Sequence, residues 1–119
     1  MICSLMLLAV MQAVTPLPTI EVKTPKDVAS VEAVNDTMAA LSQKVTACVA
    51  AGGKAEVCRC KYPQELSALR RASDALLKAH PEWKEQLLSY QYINKEGRNI
   101  SGTLVMANLR RQLDALKCE

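Results

Sequence analysis

Phenylalanine is missing from this sequence, and one tryptophan and three tyrosines are its only aromatic residues. Half of the 119 residues are nevertheless hydrophobic, so the core must be built from leucine, valine, methionine and alanine. These side chains favour the packing of helix on helix over a sheet rich in aromatic and β-branched residues. The composition therefore predicts an all-α fold, and the length predicts a single domain.

The sequence also lacks the motifs of common reaction centres. It contains no glycine-rich phosphate loop, no His-Glu-x-x-His metal motif and no Cys-x-x-Cys-His haem attachment site. The only histidine, His80, precedes Pro81 at a predicted helix corner, and no nucleophile or carboxylate pair is clustered around it in sequence. We therefore expect a protein that is not an enzyme and that binds no cofactor and no metal ion.

A dense stripe of basic residues is also missing. The net charge is only +3, and basic residues alternate with acidic ones, as at Arg70, Arg71 and Asp74. Nucleic-acid-binding proteins usually combine a basic stripe with aromatic residues on which bases stack. The pattern instead indicates a solvated surface of mixed charge, and we expect no nucleic-acid partner.

The N-terminal segment has no charged residue before Glu21. Its apolar stretch, residues 1–13, has the length of a signal-peptide core and is shorter than the roughly 20 residues that span a bilayer. We interpret residues 1–15 as a signal peptide, 16–24 as an extended lead-in and 25–119 as a single helical domain. No Lys or Arg precedes the apolar stretch, so a retained apolar helix that could support a dimer is the alternative.

The cysteines favour export independently. Five are present, and removal of a signal peptide would remove Cys3 and leave an even number. An even number of cysteines in a short exported chain is typical of a disulfide framework. We therefore predict two disulfides among Cys48, Cys58, Cys60 and Cys118, and a periplasmic or secreted protein that does not contact the membrane after signal cleavage.

The spacing of these cysteines restricts their pairing but leaves two solutions. A bond between Cys58 and Cys60 would span one residue and strain disulfide geometry. Cys48 is therefore expected to pair with Cys58 or with Cys60, and the remaining cysteine with Cys118. In a reducing compartment, a thiol–disulfide site at Cys58 and Cys60 or a zinc site would be the alternatives.

Two long helices are predicted from apolar stripes with helical spacing. The first begins at Pro25, after Thr24 as the N-terminal cap, and ends before Gly52 and Gly53. The second begins at Pro63. Their stripes are Val31, Val34, Met38, Leu41, Val45 and Cys48 in the first, and Leu66, Leu69, Ser73, Leu76, Leu77 and His80 in the second.

Two further helices complete the predicted fold. One begins at Pro81 and carries Trp83, Leu87 and Leu88 inward, and the other begins after Ser101 as its cap. The stripe of the last helix is Met106, Leu109, Leu113 and Leu116. Cys118 would lie about 160° from Leu116 around that helix, so either its last turn is frayed or the disulfide joins it from outside. Three to four main helices with short connections predict a small antiparallel bundle held by two disulfides.

A function can be predicted only at the level of a class. A rigid, cross-linked bundle without a reaction centre is typical of non-catalytic binding proteins of the bacterial envelope, such as inhibitors and immunity proteins. We expect the partner to be another protein. The candidate interaction surface is Trp83, Tyr90 and Tyr92, because Trp and Tyr are enriched at binding hot spots. A periplasmic stress chaperone and a thiol–disulfide protein using Cys58 and Cys60 are the alternative hypotheses.

Overall fold

The computed structural model describes residues 18–118. The predicted signal peptide 1–15, the beginning of the lead-in and Cys3 lie outside the described residues. Within this range the chain forms three strands, four α-helices and one 3₁₀ helix. Their order is β1 (Thr19–Glu21), α1 (Pro25–Ala50), α2 (Ala55–Arg59), α3 (Pro63–Ala79), the 3₁₀ helix (Pro81–Glu85), β2 (Leu87–Ile93), β3 (Asn99–Val105) and α4 (Met106–Ala115).

The two long helices agree with their predicted bounds. Helix α1 begins at Pro25 and ends at Ala50, and helix α3 begins at Pro63. Most positions of the two predicted stripes are buried or half-buried, because helical periodicity places them on one side of each helix. Helix α1 packs mainly against α3.

The prediction of an all-α fold is wrong, since residues 87–105 form a β-hairpin. The helix predicted from Pro81 is only a 3₁₀ helix, which ends at Glu85, and Leu87 and Leu88 are the first residues of β2. Ser101 is not a helix cap but lies in the middle of β3. Strands β2 and β3 are each seven residues long, and a segment of this length can be assigned to a strand or to part of a helix.

The sheet has the strand order β1-β2-β3. Strand β1, in the predicted extended lead-in, pairs with β2 in parallel, while β2 and β3 pair antiparallel. Tyr90 lies directly opposite Gly102 in this hairpin. The Asn35 side-chain amide on α1 donates a hydrogen bond of 3.2 Å to Thr103 O, which joins the long helix to β3.

The core lies between the sheet and the three longer helices. Every main element contributes to it, and the single tryptophan, Trp83, is buried there together with Tyr90. Leucine and valine supply most of the remaining buried side chains, as the composition predicts. The fully buried members include Val31 and Val34 of α1, Leu76 of α3, Leu88 of β2 and Met106 and Leu113 of α4.

Candidate functional site

An open groove of about 570 Å³ lies on the helical side of the molecule. Its lining comes mainly from α1, α3 and α4, with one residue, Arg59, from the end of α2. We call it the helical groove. The side chains around it are Met38, Leu41, Ser42, Val45, Thr46, Arg59, Leu69, Leu109, Gln112, Leu113, Ala115 and Leu116.

The floor of the helical groove is made from the same apolar stripes that build the core. Leu41, Leu69, Leu109 and Leu113 are buried, and they close the bottom of the groove. Met38 and Val45 of the α1 stripe line the groove above this floor and are only half-buried. An apolar surface of helical origin is therefore open to the exterior.

The rim of the helical groove is polar and has one positive charge. Ser42, Thr46, Arg59 and Gln112 are exposed there. Within residues 18–118, Arg59 forms no ion pair, unlike Arg110, which pairs with Asp74 at 2.6 Å. An apolar floor with a few polar groups at its edge is the usual composition of a binding site.

A second cluster of polar side chains lies at the corner between α3 and the 3₁₀ helix. His80 Nε2 is 2.9 Å from Asp27 Oδ1 on α1, and His80 Nδ1 is 3.4 Å from Glu82 Oε1. The imidazole also stacks on Trp83, with ring centroids 3.7 Å apart. Thr24 donates a hydrogen bond of 2.6 Å to Asp27 Oδ2. The histidine therefore joins the beginning of α1 to the end of α3.

The electrostatics of this cluster favour a charged pair. The hydrogen bond with Asp27 is the main cause that raises the pKa of His80 above 6.5, and Glu82 acts in the same direction. Hydrogen bonds from Thr24 and then from His80 lower the pKa of Asp27. Both ring nitrogens face carboxylates, so a protonated imidazole donates from each of them and has no lone pair for a general base. The geometry is that of a structural clamp.

The three aromatic residues of the predicted interaction surface do not form one exposed patch. Trp83 and Tyr90 are 6% and 5% exposed and belong to the core. Tyr92 is half-buried, and its phenol donates a hydrogen bond of 2.6 Å to Glu32 Oε2 on α1. This bond raises the pKa of Tyr92 to about 12. A contact role of these residues stays a prediction, and Tyr92 is the most accessible of them.

The two predicted disulfides are present, and the structure selects one of the two pairings. Cys48 is bonded to Cys58, and Cys60 is bonded to Cys118. Cys58 and Cys60 therefore belong to different bonds. The bond to Cys118 follows the end of α4 at Ala115, which agrees with the expectation that the last turn of this helix is frayed.

The sequence reasoning missed the helical groove. Met38, Val45 and Leu116 were interpreted as parts of core stripes, and the rim residues were not considered. One signal was present: residues 38–50 contain a single charged residue, Lys44, and its ammonium pairs with Glu65 on α3. The solvent-exposed face of a helix usually carries more charged residues than this segment does.

Other kinds of site find no support in residues 18–118. No group of three His, Cys, Asp or Glu side chains in this range is arranged to hold a metal ion. None of the helices in this range is long and apolar enough to cross a bilayer. Comparison of the chain with family models, with curated proteins and with solved structures gives no match.

Proposed function

We propose that this chain is an exported, non-catalytic binding protein of the bacterial envelope, and that its helical groove holds an apolar segment of another protein. The open apolar floor of the groove is the observation that carries the proposal. The action would resemble that of an inhibitor or an immunity protein, in which a rigid surface occupies a partner and no bond is made or broken.

The walls of the groove restrict the form of the bound segment. All three main walls are helices, and helical backbone groups are hydrogen-bonded within their own helix. A bound extended strand would therefore find few partners for its own amide and carbonyl groups. An amphipathic helix satisfies its backbone internally and needs only an apolar stripe, so helix-in-groove recognition fits the site best.

The two disulfides support the compartment in this proposal. Disulfides persist in oxidising environments such as the periplasm and the extracellular space. The bond Cys48–Cys58 joins cysteines that are 10 positions apart in sequence, and the bond Cys60–Cys118 joins cysteines that are 58 positions apart. Together they join α1, α2 and the end of α4, and this cross-linking favours a preformed groove that loses little entropy when a partner binds.

Site-specific photo-crosslinking in cells tests the proposal. A benzophenone amino acid replaces Thr46 on the groove rim in one protein and Ser67 on the exposed side of α3 in a matched control. We expect one discrete crosslinked protein from position 46 and none from position 67. The arginine substitution Ser42→Arg should abolish the product by filling the groove, whereas Gln64→Arg on α3 should leave it unchanged.

The outcomes of this experiment separate the hypotheses. Equal products from positions 46 and 67, or a product that Ser42→Arg does not reduce, would rule out the groove as the contact site. Crosslinks from position 46 to many unrelated proteins, which increase after heat or acid stress, would instead favour the chaperone hypothesis. The circular dichroism spectra of all variants are compared first, so that loss of folding is not mistaken for loss of binding.

A further inference from the structure

The two disulfides of this protein differ in accessibility, and we propose that Cys60–Cys118 is a thiol–disulfide exchange site whose reduction by a dithiol opens one end of the helical groove. The exchange site stands on the structure of the two bonds alone. Its effect on binding rests on the function proposed above, and the experiment below separates the two.

The surroundings of the two bonds are unlike. Cys118 is exposed, whereas Cys58 is completely buried. Cys60 and Cys48, the second cysteine of each bond, are both half-buried. The chain also passes close to the inner bond, because a Cβ atom at Gly53 would lie 2.6 Å from Cys58 Sγ and 2.9 Å from Cys48 Sγ. An attacking thiolate must reach a sulfur directly, so we expect faster attack on the outer bond, through the exposed Cys118, than on the inner bond.

Three of the four sequence neighbours of the outer bond's cysteines are basic, and the fourth, Glu119, is acidic. Arg59 and Lys61 flank Cys60, and Lys117 precedes Cys118. All three are exposed, and none of them forms an ion pair within residues 18–118. Cationic neighbours stabilise thiolates, so they favour both the approach of a thiolate reductant and the departure of the cysteine sulfur.

The exchange can be written in two balanced steps. One thiolate of the dithiol attacks Cys118 Sγ, which forms a mixed disulfide and breaks the Cys60–Cys118 bond. Cys60 leaves as a thiolate and takes a proton from water. The second thiolate of the reductant then attacks the first sulfur of the reductant, which is bonded to Cys118 in the mixed disulfide. This attack releases Cys118 as a thiolate. The protein gains two electrons, and the dithiol is oxidised to a disulfide.

The outer bond joins two segments of the chain that border the groove. Arg59, on the rim, precedes Cys60, and Leu116, in the wall, lies two residues before Cys118. Helix α4 ends at Ala115, and the Leu116 amide donates a hydrogen bond of 3.3 Å to Leu113 O. Residues 117 and 118 follow this last backbone hydrogen bond, and the disulfide holds them to Cys60. When the bond is reduced, these residues and the Leu116 side chain are released and the groove loses one end of its wall.

Timed reduction tests the exchange site. The protein is treated with dithiothreitol at pH 7, samples are alkylated at intervals, and peptide mass spectrometry reports each cysteine. Cys60 and Cys118 should be alkylated together, at a rate at least tenfold above that of Cys48 and Cys58. Equal rates for the two pairs, or faster opening of the inner pair, would overturn the proposal, because exchange would then follow general unfolding rather than exposure.

Hydrogen exchange and a matched pair of variants test the structural effect. The variant Cys60→Ser/Cys118→Ser should lose amide protection near the end of α4 while it keeps protection in α1 and α3. The variant Cys48→Ala/Cys58→Ala should keep protection at the end of α4. Unchanged protection at 113–118 in the first variant would refute the release of the wall. Absence of any crosslink from position 46, with the rate difference intact, would refute the proposed function and leave the exchange site standing.

Discussion

The substitution Gly102→Ala should destabilise the protein, although glycine inside a strand is usually less favourable than alanine. Gly102 lies opposite Tyr90 in the hairpin, and a Cβ atom at this position would lie 2.5 Å from Tyr90 Cζ and 2.7 Å from Tyr90 Cε1. The ring of Tyr90 is buried, with 5% exposure, so it cannot move away without disturbing the core. Overpacking of this kind lowers the free energy of unfolding by about 1–3 kcal/mol. The replacement of a glycine inside a strand by alanine raises it by about 0.5–1 kcal/mol.

From the middle of both ranges, the expected net cost is about 1 kcal/mol. In the background Tyr90→Leu the ring atoms are absent, so the same substitution should stabilise the protein by about 0.5–1 kcal/mol. The effect of one alanine therefore changes sign with its neighbour, which a double-mutant cycle measures directly. The exposed substitution Ser101→Ala on the same strand is the control and should change stability by less than about 0.5 kcal/mol.

Urea unfolding followed by fluorescence is the assay, because Trp83 is the only tryptophan and is buried. With an m-value of about 1–1.5 kcal/mol/M, the wild-type midpoint should fall by about 1 M in Gly102→Ala. A midpoint that is unchanged or higher would refute the reasoning, since it would mean that the Tyr90 ring does not lie over residue 102. The same loss in both backgrounds would locate the cost in the backbone instead.

Three other predictions follow from the structure. The contribution of the His80–Asp27 pair to stability should be largest between about pH 4 and 6.5. Because the pKa of His80 is raised, this contribution is lost as the pH rises through the pKa of His80 in the folded protein. Because the pKa of Asp27 is lowered, the contribution is also lost as the pH falls through the pKa of Asp27 in the folded protein. An NMR titration of the only histidine should show its pKa fall toward 6.5 in Asp27→Asn, and an unchanged value would disprove the pairing. Ultraviolet titration should show a phenol that ionises near pH 12 in the wild type. Its pKa should be lower in Glu32→Gln, which replaces the charged acceptor of the Tyr92 hydrogen bond by a neutral amide oxygen, and an unchanged value would show that Glu32 is not the cause. Leu113→Ala should lower the free energy of unfolding by about 2–5 kcal/mol in urea, since this side chain is 2% exposed, and a loss below 1 kcal/mol would show that the groove floor is loosely packed.

The long helices are the part of the fold that local sequence predicts well. The proline at the first helical position, the apolar spacing of 3 and 4 and the Gly52–Gly53 stop all act within a few residues of the helix itself. The number of disulfides was also predictable, because four cysteines are left when Cys3 is counted with the predicted signal peptide. Their pairing was not, since only Arg59 separates Cys58 from Cys60 in sequence and only their surroundings in the fold distinguish them.

The hairpin shows where local sequence is insufficient. Residues 87–93 and 99–105 are each short enough to be either a strand or part of a helix. They became strands because each finds a ladder of hydrogen bonds elsewhere: β2 pairs with β3 and with Thr19–Glu21, which lies more than 60 residues earlier. Long-range pairing of this kind overrides local propensity, and it placed Tyr90 in the core.

The candidate site has the same division. The apolar stripes of α1, α3 and α4 are predictable from the sequence, because periodicity alone places those side chains on one face of each helix. Whether a stripe is covered depends on the lengths and positions of the neighbouring helices, and these are properties of the assembled molecule. The sequence by itself determined which faces are apolar and that the chain can form two cross-links. Only the tertiary structure decided that part of the α1 stripe remains open as the helical groove, and that the accessible disulfide lies at its end.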